Sequence, residues 1–373
     1  MEALFPGFRK DMEASGSIKI DTINDLAWFH HGRWKSRFKS EFTTLLQTRT
    51  LLETYLEKRV RQLDNVNYIY GAKVISYILD PKSHRLSGVE VKDEKESKIL
   101  PAELVIDASG ASSFTKTWIE KQGISVPEDK VDIGLCYATR IFELPEENRD
   151  YKIKLLYPDP PTQEIGGTLS KVEDNKYIVT LIGYLNSIKA EDIKSADGFL
   201  EYASKLPLDD IYKELIKGKS LTDTKIFNIP YMVWRRFDKV VLPEGLLVAG
   251  DSFCRVDPVF GQGMSVAALE AMAIKDYFSR QPKSGSLKKL QKKMAKIIAP
   301  VWSMVVCEDF RYDKVQGKKP FGLKFQQWYV KKIFLVSTKK RSIYKDFIKV
   351  MNLVNPPAIL FKPSTVKEVL RRK

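Results

Sequence analysis

Residues 246–271 read LLVAGDSFCRVDPVFGQGMSVAALEA. Leu246 to Ala249 is a wholly apolar run, the pattern of a strand buried on both faces. It ends in Gly250-Asp251, so an acid stands at the carboxyl end of the strand, where ligands bind in open α/β sheets. A carboxylate there can accept hydrogen bonds from sugar hydroxyls. Pro258, Gly261 and Gly263 then let the backbone pass close to a flat ligand, because glycine has no side chain and tolerates positive φ. From about Met264 to Phe278 the sequence is helical, and the positive end of that helix points back at the ligand, past Gln262 and Met264.

A second junction has the same organisation. Leu104-Val105-Ile106-Asp107 is a short apolar run closing on an acid, followed by Ala108-Ser109-Gly110. Between the two junctions, residues 131–185 are β-rich, with short strands in IGLCYATRIFEL, IKLLYP, GGTLSKV and KYIVTLIGYL and a stiff turn at Asp159-Pro160-Pro161. Residues 195–219 read as a helix. Upstream, Phe42 to Leu63 reads as a helix on the spacing of Leu45, Leu46, Leu52, Tyr55, Leu56 and Val60. Tyr68 to Tyr70 has strand composition, and Lys73 to Leu79 and Leu86 to Lys92 form a hairpin about the turn DPKSHR. These signals predict an α/β fold: a Rossmann-like layer interrupted by an antiparallel sheet, with helices at the C-terminus.

Composition bounds the chemistry. The chain has 373 residues, 43% hydrophobic, and a formal net charge of +15. That excludes a disordered or fibrous protein. Three scattered cysteines and three histidines predict neither a disulfide framework nor a metal site. The first residues lack a secretory pattern and no run is long enough to span a membrane, so a cytoplasmic protein is expected. The charge is uneven. Residues 281–373 hold 23 Lys and Arg against 5 Asp and Glu, while residues 1–280 hold 39 against 42. No nucleic-acid-binding motif accompanies the surplus. Phe325, Trp328, Tyr329, Ile333, Phe334 and Leu335, interleaved with lysines, predict weak contact with a membrane surface; a solvated helical face is the competing reading. His30 and His31 suit either acid–base work or aromatic packing, and packing is the expectation. Cys254 is expected to be a small packing residue.

The 246–271 segment resembles the second FAD-binding motif of the para-hydroxybenzoate hydroxylase superfamily of flavin monooxygenases: apolar strand, Gly-Asp, Pro and Gly-x-Gly before a helix. The resemblance extends to LVIDASGASS (residues 104–113), to Arg49 in QTRTLLETYL and to the β-rich middle, and is strongest to squalene-epoxidase-like flavin oxidoreductases. It implies that Arg49, Asp107, Gly110, Gly250, Asp251, Pro258, Gly261, Gln262, Gly263 and Met264 bind FAD. Asp251 would meet the ribityl or pyrophosphate region, and Pro258 to Met264 would lie along the isoalloxazine ring. It further implies NAD(P)H as electron donor and a monooxygenase, hydroxylating or epoxidising an apolar or aromatic small molecule. No side-chain nucleophile is expected, because the oxygen chemistry belongs to the cofactor. Tyr137, Arg140, Tyr184 and Trp234 are candidates for orienting substrate. No lysine occupies a halogenase-type signature, which ranks that chemistry lower.

The superfamily's leading βαβ unit, with its Gly-x-Gly-x-x-Gly turn, is expected to have no counterpart here, since Gly7, Gly16 and Gly32 follow no strand in this reading. The chain is therefore expected to begin inside the family pattern. A non-catalytic remnant, or the partner subunit of a split flavoprotein, is the alternative reading. The expected divisions are a partial FAD-binding domain over 1–130, a β-rich substrate domain over 131–235, the second FAD motif over 236–285 and a basic helical region over 286–373.

Overall fold

The computed structural model describes residues 1–94, 96–280 and 287–371. The chain divides into two compact units. One comprises Met1–Gln62, Asp132–Tyr231 and Val306–Lys373; the other comprises Leu63–Val131 and Met232–Val305.

The first unit is built on a large sheet. From Lys225–Arg235 it runs through Glu128–Glu143, Tyr177–Gly183, Ile165–Lys171, Ile153–Leu156 and Leu26–His30 to Arg33–Trp34. From Glu128–Glu143 to Ile153–Leu156 neighbours are antiparallel, with Leu181 opposite Ala138, and Ile153–Leu156 pairs parallel with Leu26–His30, placing Leu155 beside Trp28. Side-chain alternation divides the core. Ala27 joins Leu181, Val179 and Phe199 under the helices Ala196–Ala203 and Asp210–Leu215. Its neighbour Trp28 faces the other way and packs on Phe334 and Phe347 from the helices Leu323–Ser337 and Arg341–Met351. Successive side chains of a strand point to opposite faces, so the sheet carries two cores.

The C-terminal helical region is thus structural as well as charged, through its apolar residues. Of the six apolar residues expected along an interfacial face, Tyr329, Ile333 and Phe334 are buried in this core, whereas Phe325 and Trp328 are exposed. Lys35 also enters it, donating to the Phe334 carbonyl and to Ser337 Oγ at 2.9 Å. Burial pulls its ammonium pKa down to about 7.

Three local expectations are corrected. Phe42–Leu63 is not one helix: Thr43–Leu46 is a strand paired antiparallel with Ile18–Asp21, and the helix starts at Arg49. Thr48 separates them by capping the helix, its side-chain oxygen accepting from the Leu51 amide at 3.1 Å. Residues 195–219 form two helices rather than one, Ala196–Ala203 and Asp210–Leu215, because Pro207 between them has no amide hydrogen to donate. Tyr68 to Tyr70 is no strand; the two tyrosine rings stack on each other with 5.7 Å between centroids.

In the second unit, Lys73–Leu79 and Leu86–Lys92 form the expected hairpin, extended by Ser97–Pro101. The two apolar runs pair parallel, Leu246–Val248 on Val105–Asp107, with Val248 opposite Asp107. Among the described residues this parallel layer comprises those two strands. The helix Gly263–Phe278 follows, then Leu287–Asp309.

Candidate functional site

Both junctions emerge side by side from the parallel pair, and two buried side chains, Ser252 and Arg235, lace them together. Ser252 Oγ accepts from the Gly110 amide at 2.8 Å and lies 3.2 Å from Asp107 Oδ1. Arg235 donates from Nη1 to the carbonyls of Asp251 (3.2 Å) and Ser252 (3.1 Å), and from Nη2 to the Ala111 carbonyl (3.1 Å). On the far edge of Leu246–Val248, Gln291 takes the place of a neighbouring strand. Its Nε2 donates to the Val248 carbonyl at 2.9 Å, and its Oε1 accepts from the Val248 amide at 3.1 Å.

Asp107 is committed to this framework. Its Oδ1 accepts from the Ser109 amide (2.9 Å) and hydroxyl (2.6 Å), and Oδ2 accepts from the Ser113 and Thr115 hydroxyls. Burial works to raise its pKa, but these donors together hold the carboxyl below its usual range. Asp107 therefore sets the shape of the loop that presents Gly110.

The Gly250–Met264 segment is built to be approached. Gly110, Gly250 and Gly261 have φ of 85°, 61° and 68°, the left-handed region that favours glycine. A Cβ added at any of the three, or at Gly263, would meet nothing within 4 Å. Each of these glycines thus leaves open space beside its backbone. Asp257, fully buried, caps the turn Pro258–Phe260 by accepting from the Val259 amide at 2.8 Å. The helix Gly263–Phe278 begins at Gln262 with no side-chain cap, so its first-turn amides have no capping side chain. Asp251 and Met264 are exposed, and Gln262 is buried. Gly250, Asp251, Cys254, Val256, Gly263 and Val266, with Ile298 and Val301, line a narrow and largely apolar cleft.

Beneath it lies Glu270, whose Oε2 accepts from the Gly250 amide at 2.7 Å. Burial, with the Asp251 charge adding to it against that hydrogen bond, raises its carboxyl pKa to about 7. Cys254 is buried and its thiol pKa is pushed well up by burial and by Glu270 and Asp251. It stays a protonated packing residue.

Nine of the ten sequence-predicted residues therefore fall in the second unit around one strand pair. Arg49 belongs to the first unit, opening its helix with an exposed guanidinium and an ion pair to Glu53 at 2.6 Å. Arg140 serves its own unit, donating to Thr224 Oγ1, Ser220 Oγ and two carbonyls. His30 and His31 stack at 3.9 Å, and His30 packs on Tyr157 and Phe334. Burial lowers the pKa of both, that of His31 to about 4, as aromatic packing requires. Sequence reasoning missed Arg235, Ser252, Glu270 and Gln291. The signal for Glu270 was an acid in the middle of the apolar helix that follows the loop; the other three act mainly on backbone atoms distant in sequence and leave no sequence pattern.

No protein-family profile matches the chain. Among curated proteins, Protein Rv3254 of Mycobacterium tuberculosis is 27% identical over 349 residues, 88% of this chain and 72% of that protein. Solved structures share the fold. A flavoprotein/dehydrogenase from Cytophaga hutchinsonii superposes with TM-score 0.65 at 12% identity, covering 97% of this chain and 83% of that one. The myxobacterial chondrochloren halogenase CndH, an FAD-dependent halogenase, gives 0.63 at 15%, covering 97% and 82%. PqsL of Pseudomonas aeruginosa, called a "probable FAD-dependent monooxygenase", gives 0.59 at 14%, covering 80% and 79%.

Proposed function

We propose that this chain, whose fold is that of FAD-dependent halogenases and monooxygenases, is a flavin-dependent monooxygenase acting on an apolar or aromatic small molecule, with NAD(P)H as electron donor. The observation that carries the proposal is the cradle of Gly110, Gly250, Gly261 and Gly263, four open backbone positions flanking the uncapped start of a helix. FAD fits that donor set: amides and an exposed carboxylate for hydroxyls and phosphate, and flat glycine backbone for a ring.

Asp251 would accept from sugar hydroxyls, and the uncapped first-turn amides of the Gly263–Phe278 helix would meet anionic oxygens, while the Gly110 and Gly250 amides, held by Ser252 Oγ and Glu270 Oε2, keep the two turns in shape. Pro258 to Met264 would bear on the ring, and the positive end of the Gly263–Phe278 helix would favour negative charge there. Glu270, pinned to Gly250, fixes the turn that carries Asp251. Bound FAD supplies the redox and oxygen chemistry. The protein's own part is to bind it, orient it and keep water from the apolar wall formed by Val256, Val266, Ile298 and Val301.

Titration of the purified chain with FAD tests this. Saturable binding that Gly261→Ala weakens tenfold or more is expected, and no binding by a folded chain overturns it. NADPH oxidation in the presence of aromatic substrates, with and without halide, then separates oxygenation from halogenation.

A second reading has its own observation. Ile106, in the strand Val105–Asp107, is 39% exposed, and Ile99 is 60% exposed in the same unit. Apolar side chains so exposed suit a subunit completed by a partner. Flavin binding by the chain alone excludes that reading. For membrane contact, the exposed Phe321, Phe325 and Trp328 beside Lys324 and Lys331 are the surface we assign, and co-sedimentation with anionic vesicles tests it. No described helix is long and apolar enough to cross a membrane.

A further inference from the structure

The second unit holds another concavity, a cleft of about 450 Å³ within the range of small-molecule sites. Its ceiling is the helix Leu287–Asp309. Lys288, Lys292 and Lys296 stand at i, i+4 and i+8 on that helix, with Ala295 and Ala299 on the same arc. The facing wall carries Lys239 and Arg236.

The charges here are unevenly used. Arg236 is fully engaged: its guanidinium lies 3.8 Å from the Trp234 ring centroid, donates twice to Asp238 (3.0 and 2.8 Å) and once to Asp129 (3.1 Å). Asp238 is thereby spoken for, and it is the cleft's acid. The four lysines are all exposed, and among the described residues none has a carboxylate within ion-pair distance. Lys293, one residue round the helix, does pair, with Asp276 at 3.8 Å. Like charges at i and i+4 destabilise a helix. Alanine at 295 and 299 keeps the space between them open rather than filled. Repulsion left unrelieved around a preserved cavity is the arrangement of a polyanion site.

We propose that this cleft binds a diphosphate group, free or carried by a soluble nucleotide. Four ammonium groups around one concavity suit two linked phosphates, each with more than one negative oxygen. A lipid headgroup has the same chemistry, but beyond the lysine stems the apolar side chains of the lining are two alanines and the buried Trp234, and none of these reaches out as an anchor for a bilayer.

Calorimetric titration of the flavin-free chain at low salt with inorganic pyrophosphate, NADP+ and phosphatidylserine vesicles decides the matter, and it reads independently of whether the flavin proposal holds. Pyrophosphate is expected to bind at a single site, more weakly as salt rises. Lys292→Glu with Lys296→Glu should weaken it tenfold or more. The charge-neutral Ala299→Trp should do the same by filling the cleft. Lys289→Glu with Lys293→Glu, an equal charge change off the lining, should cost less than threefold. Tighter binding of NADP+ than of pyrophosphate identifies a dinucleotide as the carrier, and equal affinity identifies the anion itself. The proposal is overturned by absence of saturable binding, by equal losses in the two lysine pairs, by an unaffected Ala299→Trp chain, or by vesicle binding without pyrophosphate binding.

Discussion

Glu270 sits 1% exposed with one oxygen on the Gly250 amide and the other meeting no donor among the described residues. Its pKa of about 7 in the fold lies above the unfolded carboxyl value, so the folded chain holds the extra proton between roughly pH 4.5 and 7. Stability from this group is complete below that window and is lost as pH rises through it, on the order of 3 kcal/mol. Glu270→Gln keeps an acceptor for Gly250 and removes the titration. Melting temperature followed from pH 5 to 8 should fall less in the variant than in the parent chain; parallel curves would count against a buried acid. At Gly261, φ of 68° makes alanine strained by about 1–2 kcal/mol, and the new methyl would stand where the cradle is open. The turns at Gly110, Gly250 and Gly261 were legible in the sequence because positive φ after a strand end favours glycine. Asp107 was legible as the acid that ends an apolar strand, but its carboxylate is consumed by Ser109, Ser113 and Thr115. Which way an acid faces depends on donors several residues away.

The strand Leu246–Val248 depends on Gln291 at its edge. Replacing Gln291 with Leu leaves the amide and carbonyl of a buried residue without partners, a loss of about 2–4 kcal/mol in denaturant unfolding. A change below about 0.5 kcal/mol would mean that water serves the edge equally well. Thr48→Ala should cost about 1 kcal/mol by uncapping the Arg49–Arg61 helix. The same residue shows why the reading of Phe42–Leu63 as one helix failed. Leu45 and Leu46 have helical spacing with Leu52 and Tyr55, but pairing with Ile18–Asp21 claims them for a strand. Nonlocal pairing overrides local periodicity, and Thr48 is the only local mark of the boundary. The strands within residues 131–185 were legible because Pro, Gly, Asp and Asn punctuate them; Leu26–His30, Arg33–Trp34 and Lys225–Arg235 were not read as strands, and the order of the sheet was not legible, since it is fixed by cross-strand packing.

For the whole molecule, the basic surplus divides into separate tasks. Tyr329, Ile333 and Phe334 secure the C-terminal helices to the sheet, while Lys288, Lys292 and Lys296 ring a cleft in the other unit. Charge asymmetry was visible in the composition, but burial of half the aromatic stripe was not, because amphipathic periodicity looks alike against a sheet and against a membrane. Ligand binding to the native state alone raises its melting temperature, by an amount set by RT ln(1 + [L]/Kd). FAD at 100 times its Kd should thus add about 2.7 kcal/mol, and Gly261→Ala should abolish most of that gain. The most direct measurement is the titration of purified, flavin-free chain with FAD, followed by quenching of flavin fluorescence. One saturable site per chain, weakened at least tenfold by Gly261→Ala and by Asp251→Ala, is the expected result. A folded chain that leaves flavin fluorescence unchanged, or whose binding ignores both substitutions, would contradict the assignment of the Gly250–Met264 cradle to FAD.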